Sequence, residues 1–180
     1  MVIGLTGPKL AGKGTTAAYL ELSYGAKLYS MSGILLDISE RLHLSNSRQN
    51  LIHIATGLRS TLGDDILAQV LKKDIEQAGD ELAVIDGIRM PSEVKLFSQL
   101  DGFKLIYMSA PLENRYKRAI AREEKEGESE MTFEEFKIEE EAVTEKRIIE
   151  LKDIADLVFE NNGTIDELHE KIDDIMKTAH

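Results

Sequence analysis

The chain has 180 residues, 42% of them hydrophobic, enough for one substantial core and expected to form one domain. Its 22 Lys and Arg stand against 33 Asp and Glu, a formal charge of −11, which excludes a long basic stripe for duplex nucleic acid. With no cysteine and four scattered histidines (His43, His53, His169 and His180), disulfides, thiolate catalysis, cysteine metal centres and the usual zinc spacings are excluded too.

Val2 to Thr6 is apolar on consecutive positions and reads as a central parallel strand covered on both faces. The first residues run straight into it, leaving no room for a signal segment, and no apolar run approaches the roughly 20 residues that span a bilayer. A cytoplasmic protein, free of the membrane, is expected. The strand stops at Gly7, and Gly7-Pro-Lys-Leu-Ala-Gly-Lys-Gly-Thr15 leads into a helix of about Lys13 to Ser23, closed by Gly25. The form is G-x-x-x-x-G-K with a hydroxyl close behind, and one extra glycine stands between Lys13 and Thr15. Strand, glycine-bounded loop, lysine and helix start let backbone N–H groups and the positive end of a helix converge on one anion. The bland alternative is a glycine-rich hairpin or buried turn. As a phosphate cradle, Gly7, Ala11, Gly12, Lys13, Gly14, Thr15 and Thr16 would contact the nucleotide. Lys13 would reach the terminal and penultimate phosphates and Thr15 a bridging magnesium ion, with Thr16 a competing hydroxyl. Gly12 and Gly14 would admit close backbone approach.

Lys27–Ser30 is a short second strand, and Ser30 or Ser32 caps a helix with Ile34, Leu35, Ile38 and Leu42 on its apolar face. Further helices are expected over about Arg48–Leu62 and Asp64–Ala78, so residues 31–78 form a helical insertion. Glu81–Asp86 is the clearest interior strand after the first, and Pro91 opens a helix through about Leu100. Phe103–Ser109 is the next strand, and Pro111 starts a charged helix. Residues 123–135, polar and acidic, are expected to be a mobile lid, followed by a helix of about Thr132–Leu151. Ala155–Glu160 is a last strand, Asn161–Gly163 a turn, and Thr164–Met176 a closing helix with a Thr164/Glu167 capping box. Strands alternating with helices give an α/β fold with a parallel sheet.

Asp86 lies at the carboxyl end of a predicted central strand, where ligands of open α/β sheets collect, and would hold magnesium directly or through water. An N-cap or an ion pair to Arg89 is the competing account. Arg89 can grip an acceptor phosphate with its bidentate fork. Arg115, Arg118 and Arg122 share one side of a helix and would surround the donor phosphates, unless nearby glutamates make the helix an ordinary solvated face. In the insertion, Arg48 and Arg59 are candidates for acceptor phosphate, and Asp37 is the one early acid placed to assist an acceptor hydroxyl.

With these positions in hand the chain resembles P-loop kinases of the nucleoside monophosphate kinase superfamily. Gly7 to Thr15 is similar to the adenylate kinase loop, in which Gly-Lys-Gly-Thr is normal. Asp86-Gly87-Ile88-Arg89 is similar to that family's Asp-Gly-hydrophobic-Pro-Arg segment, one residue shorter. The resemblance gives Asp86 a magnesium-linked role and Arg89 an acceptor-phosphate role, and Arg115 to Arg122 match the arginines that flank the lid. Ala155-Asp156 through Asn161-Asn162-Gly163-Thr164 resembles the end of dephospho-coenzyme A kinases and of archaeal relatives. Tyr29 to Ser32, Arg48-Gln49-Asn50 and Arg59 resemble deoxynucleoside monophosphate kinases. Dephospho-coenzyme A kinases carry an Asp after the second strand, where this chain has Tyr29-Ser30-Met31-Ser32, a departure that favours a nucleotide-like acceptor.

The resemblance implies a three-layer P-loop NTPase fold with a parallel five-stranded sheet in the order 2-3-1-4-5, an acceptor-binding insertion and a lid. It implies an ATP- and Mg2+-dependent kinase, monomer or homodimer, with Lys13, Asp86, Arg89 and Arg118 at the reacting centre and a small phosphorylated acceptor. A (deoxy)nucleoside monophosphate is the expected acceptor. The alternatives are a dephospho-coenzyme A kinase-like activity, a regulatory NTP-binding protein, and 5′-end phosphorylation of short single strands.

Overall fold

A computed structural model of the chain describes residues 1–122, 132–140 and 148–178. In order, its elements are β1 (Val2–Thr6), α1 (Lys13–Tyr24), β2 (Lys27–Ser30), α2 (Met31–Arg41), α3 (Arg48–Leu62) and α4 (Ile66–Ala78). There follow β3 (Ala83–Ile88), α5 (Pro91–Phe97), β4 (Phe103–Ser109), α6 (Leu112–Arg122), α7 (Phe133–Glu140), β5 (Leu157–Glu160) and α8 (Ile165–Thr178). The strands form one sheet in the order β2-β3-β1-β4-β5, every pair parallel.

The near-continuous apolar strands build the sheet because successive side chains leave it on opposite faces. On one face Ile3, Leu5, Val84, Ile106 and Met108 meet Ala17 and Leu20 of α1 and Leu168, Ile172 and Met176 of α8. On the other, Val2, Ala83, Ile85, Leu105 and Tyr107 meet Leu71 and Ile75 of α4 and Phe97 of α5. Each fully buried Leu or Ile in these layers contributes about 1.5–3 kcal/mol. A smaller cluster of Leu35, Ala55 and Leu67 joins α2, α3 and α4, so the insertion carries its own core.

Several boundaries differ from the sequence expectations, each for a local reason. β3 runs two residues past Asp86: its register against β1 shifts between Leu5↔Asp86 and Thr6↔Ile88, and Thr6 Oγ1 donates to the Ile88 carbonyl at 2.7 Å. β5 begins at Leu157 because the Asp156 carboxylate takes the Leu105 N–H at 2.8 Å, in place of a backbone acceptor. Ser30 is the α2 cap, accepting from Gly33 N. Leu42, expected on the apolar face of α2, is the residue after the helix and is 57% exposed. α5 stops at Phe97 and not Leu100. The Thr164/Glu167 capping box forms as expected, with Thr164 N donating to Glu167 and Glu167 N to Thr164 Oγ1. Of the expected lid, residues 123–131 lie outside the described residues, as do 141–147 of the helix expected after it.

α1, which carries the phosphate loop, is tied to α8 at its far end. The Tyr19 and Tyr24 hydroxyls both donate to Asp173 Oδ1, at 2.8 and 2.7 Å, and the Tyr19 ring stacks on His169 at 3.8 Å. The bond to Asp173 pushes the Tyr24 hydroxyl up to about 12, and burial followed by the bond to Asp80 pushes Tyr29 up to about 12. Since a proton retained in the folded state stabilises it, these contributions are complete below the ordinary tyrosine value of about 10 and are lost as pH rises through about 12. An alkaline absorbance titration should therefore show Tyr24 and Tyr29 ionising well after an exposed tyrosine. A common transition near pH 10 for all five tyrosines would contradict both bonds.

Candidate nucleotide-binding site

The loop between β1 and α1 is shaped by three residues with positive φ: Gly7 (126°), Leu10 (61°) and Gly12 (105°). At Gly7 a Cβ would stand 1.9 Å from the Met108 carbonyl oxygen of the neighbouring strand, and at Gly12 2.3 Å from the Asn161 side-chain Nδ2, and the positive φ of both also favours glycine. Gly14 differs: a Cβ there meets nothing within 4 Å. Lys13 Nζ donates to the Gly7 and Pro8 carbonyls, both at 2.8 Å, which holds the ammonium across the mouth of the loop. The first N–H groups of α1 have no intrahelical acceptor, and its N-cap, Gly12, supplies no side chain. An anion is the natural partner for those donors and for the positive end of the helix dipole.

The loop opens into a cleft of about 1060 Å³, lined also by Asp86, Arg89, Arg118 and Asn161. Asp86 Oδ1 is buried and accepts no hydrogen bond. A buried carboxylate oxygen left without a donor suits a hard cation or its water. No group of three His, Asp, Glu or Cys able to cage a metal occurs among the described residues. Magnesium takes one or two carboxylates and fills its octahedron with phosphate oxygens and water. Thr15 is exposed and lines the same cleft.

Thr16 departs from the expectation of a loop hydroxyl facing ligand. It is 3% exposed, its Oγ1 has no hydrogen-bond partner, and it lies with Ile3, Leu20 and Met108 around a small internal void. The helical period turns it inward when Thr15 faces out. Ala11 is also fully buried and does not line the cleft; it reaches the site by its carbonyl, which accepts from Asn161 Nδ2 at 3.0 Å.

The three arginines of α6 divide. Arg118 lines the cleft and binds across it, NH1 to the Leu10 carbonyl at 3.1 Å and NH2 to the Asn161 carbonyl at 3.0 Å, and burial lowers its pKa. Arg115 is 7% exposed and serves as a brace: Nε donates to the Ala110 carbonyl, NH1 to the Lys9 carbonyl, and NH1 also pairs with Glu140 of α7. Its guanidinium is taken up by protein and is not among the groups lining the cleft, contrary to the expectation of a phosphate contact. Arg122 ends α6, and its side chain lies outside the described residues. Asn161, read in the sequence as a turn residue within the tail resemblance, lines the cleft, a placement the sequence did not suggest. Only 6% exposed, it links Ala11 of the loop to Arg118 of α6, and a buried asparagine side chain leaves no spacing signal.

Arg89, which also lines the cleft, lies beside Glu93, which is 3% exposed. Glu93 Oε2 accepts from Arg89 N at 2.8 Å and Met90 N at 3.1 Å, closing the start of α5. Burial raises the Glu93 carboxyl, while those two bonds and the charges of Arg59 and Arg89 act against the rise. Arg59, half-buried, keeps a buried Nε without a hydrogen-bond partner. Asp37, Arg48 and Arg59, expected on the acceptor side, do not line the cleft, and Asp37 and Arg48 are exposed. Asp37 stands two residues from each of the buried Leu35 and Ser39, hence on the outer face of α2, and Arg48 is the first residue of α3.

A parallel sheet of this strand order with a lysine-bearing glycine loop leading into a helix defines a P-loop protein of the kinase-like fold. The model of a family described as an AAA domain matches residues 6–137, and the chain belongs to that family. It is 31% identical over 179 residues to a UPF0200/UPF0201 protein of Archaeoglobus fulgidus, a match covering 97% of this chain and 54% of that relative. The chain thus spans about half of that relative's length. A UPF0200 protein of Sulfurisphaera tokodaii is 26% identical over 177 residues, covering 98% of this chain and 96% of the relative. Among solved structures it is similar to TT1252 from Thermus thermophilus (TM-score 0.66, 21% identity, 99% of this chain and 97% of that one). It is also similar to shikimate kinase from Bacteroides thetaiotaomicron (TM-score 0.61, 13% identity, 98% of each chain). At those identities the likeness concerns the fold. Among the described residues no helix is long and apolar enough to cross a membrane.

Proposed function

We propose that the protein transfers the terminal phosphoryl group of ATP to a small phosphorylated acceptor, a nucleoside or deoxynucleoside monophosphate, with Mg2+. The observation that carries this reading is that one cleft is lined by the phosphate loop, by Asp86 of the strand beside it and by Arg89 beyond Asp86 in the chain. A binding module needs only the loop. Of the three arginines that separate a two-substrate site from scattered surface pairs, Arg89 lines the cleft, Arg59 is half-buried and does not line it, and Arg48 is exposed.

In this reading the loop N–H groups and Lys13 hold the donor's terminal and penultimate phosphates, and Arg118 draws the donor against the loop. Asp86 and Thr15 would hold the magnesium ion, which supplies charge neutralisation between those phosphates. Arg89 orients the acceptor phosphate so that one of its oxygens lies in line with the terminal phosphorus. A bond forms from that oxygen to phosphorus, the bond to the bridging oxygen breaks, and ADP departs with the electron pair. A phosphate acceptor is already ionised and needs no strong base, so catalysis is positioning and electrostatics.

The test is ATP consumption across a panel of nucleoside monophosphates, deoxynucleoside monophosphates and dephospho-coenzyme A. Turnover with a monophosphate, with KM for the acceptor raised roughly tenfold or more in Arg89→Ala, is expected, since the bidentate pair is lost. ATP binding without turnover on any member would leave a regulatory NTP-binding protein. Turnover on dephospho-coenzyme A alone would move the reaction to a ribose hydroxyl.

A further inference from the structure

Glu93 is out of place by ordinary rules. A carboxylate is rarely so deeply buried unless it is matched, and this one is bonded to the backbone of Arg89, a residue that lines the cleft. Its match is shared. Two backbone N–H groups, of Arg89 and Met90, bind Oε2, and two guanidiniums, of Arg59 from α3 and Arg89 from the β3–α5 link, supply the charge. α4, which also packs on α5, meets it through apolar residues such as Leu71 and Ile75, and no charged group of α4 is among those acting on Glu93. An anion arriving at Arg89 draws on one of the two positive charges that favour the ionised form of Glu93. It also adds negative charge beside a buried carboxylate, and two like charges at such a site favour protonation of one of them. The N–H donors do not relieve this, because they are already bonded to Glu93.

We propose that Glu93 is a positioning residue for the acceptor, holding Arg89 in register while the site is empty and taking up one proton when an anion settles on that guanidinium. The inference rests on the acceptor end proposed above and goes further: acceptor binding is proton-coupled, and its strength is set in part by a residue that does not touch the reacting atoms. The proton goes from solvent to the Glu93 carboxylate, and the released guanidinium charge goes to the ligand. Because the bound state holds the extra proton, affinity falls as pH rises through the window between the free and bound carboxyl values.

The experiment uses the full chain saturated with magnesium and a non-hydrolysable ATP analogue, so that the loop is occupied. Sulfate, a dianion that does not itself titrate near neutrality, is the acceptor-end probe. It is titrated calorimetrically between pH 6 and 8 in two buffers of unequal ionisation enthalpy. The wild type should take up a proton on binding, with affinity falling by up to about tenfold per pH unit inside the window. Glu93→Gln, which keeps a carbonyl oxygen for the two N–H groups, should bind sulfate with no uptake, no pH slope and about tenfold more tightly at pH 8. Arg89→Ala should lose the sulfate site. Saturable wild-type binding with no uptake overturns the proposal, as does uptake that persists in Glu93→Gln or the absence of any saturable sulfate binding. Should Glu93→Gln fail to fold, the pH slope and uptake of the wild type decide alone. ATP turnover is read separately: turnover without proton uptake sinks only this inference, and proton-coupled sulfate binding without turnover sinks only the kinase reading.

Discussion

Replacing Lys13 by methionine is expected to lower phosphoryl transfer roughly 10²–10³-fold, a loss of about 2.7–4 kcal/mol of transition-state stabilisation. The ammonium is held by the Gly7 and Pro8 carbonyls, a placement that in the proposed reaction would aim a point charge at the donor phosphates before they arrive. Such preorganised charge acts most strongly where negative charge moves onto the leaving oxygen. Methionine keeps the length and apolar stem of the side chain and removes only the charge. The fold should barely notice, because Lys13 is only half-buried and water can reach the carbonyls it leaves. The check is kcat with a saturating acceptor beside a thermal melt. Turnover within about threefold of wild type would mean that Lys13 does not face the transferring group.

Gly7→Ala has the largest expected effect on stability. The new methyl would be built 1.9 Å from the Met108 carbonyl oxygen, on a residue with φ of 126°, where both sterics and backbone conformation oppose it. Relief requires parting β1 from β4 just where Thr6 pairs with Tyr107 and the loop begins. A cost of about 4 kcal/mol or more is expected, among the largest for single substitutions, and a melting temperature lower by roughly 10 °C in a chain of this size. Gly14→Ala is the matched control. No described atom lies within 4 Å of its added methyl and the position is helical, so its stability should equal or exceed that of wild type. Urea melts of both variants give the comparison. Equal stabilities for the two would show that the β1–α1 loop does not take this path.

Strand and helix identities follow directly from patterns along the chain. The consecutive apolar runs at 2–6 and 103–109 became central strands, Ser30 and Thr164 became caps, and Gly25 a left-handed stop, because each depends on neighbours within a few residues. The phosphate loop was legible for the same reason. Its glycines, lysine and helix start are contiguous, and strand β1 can enter the helix through such a loop in few ways. Asp86 and Arg89 were legible as a pair because a strand end and the turn after it are both local features.

The sequence by itself therefore determined the α/β class, the sheet order through its resemblance, the loop and the strand-end acid. Only the tertiary structure decided which charges face ligand and which face protein. Arg115 and Arg118 lie three residues apart on one helix with the same chemistry, yet one is held by Lys9, Ala110 and Glu140 while the other lies across the loop mouth. Thr15 and Thr16 are adjacent and alike, and the helical turn of about 100° sends one to the cleft and the other to the core. Glu93 reads in sequence as a first-turn helix acid, and Asn161 as a turn. Their burial comes from how α5 and the segment after β5 pack on the sheet. Spacing along a chain fixes which side of an element a residue occupies, whereas the partner met on that side is set by contacts between residues tens of positions apart.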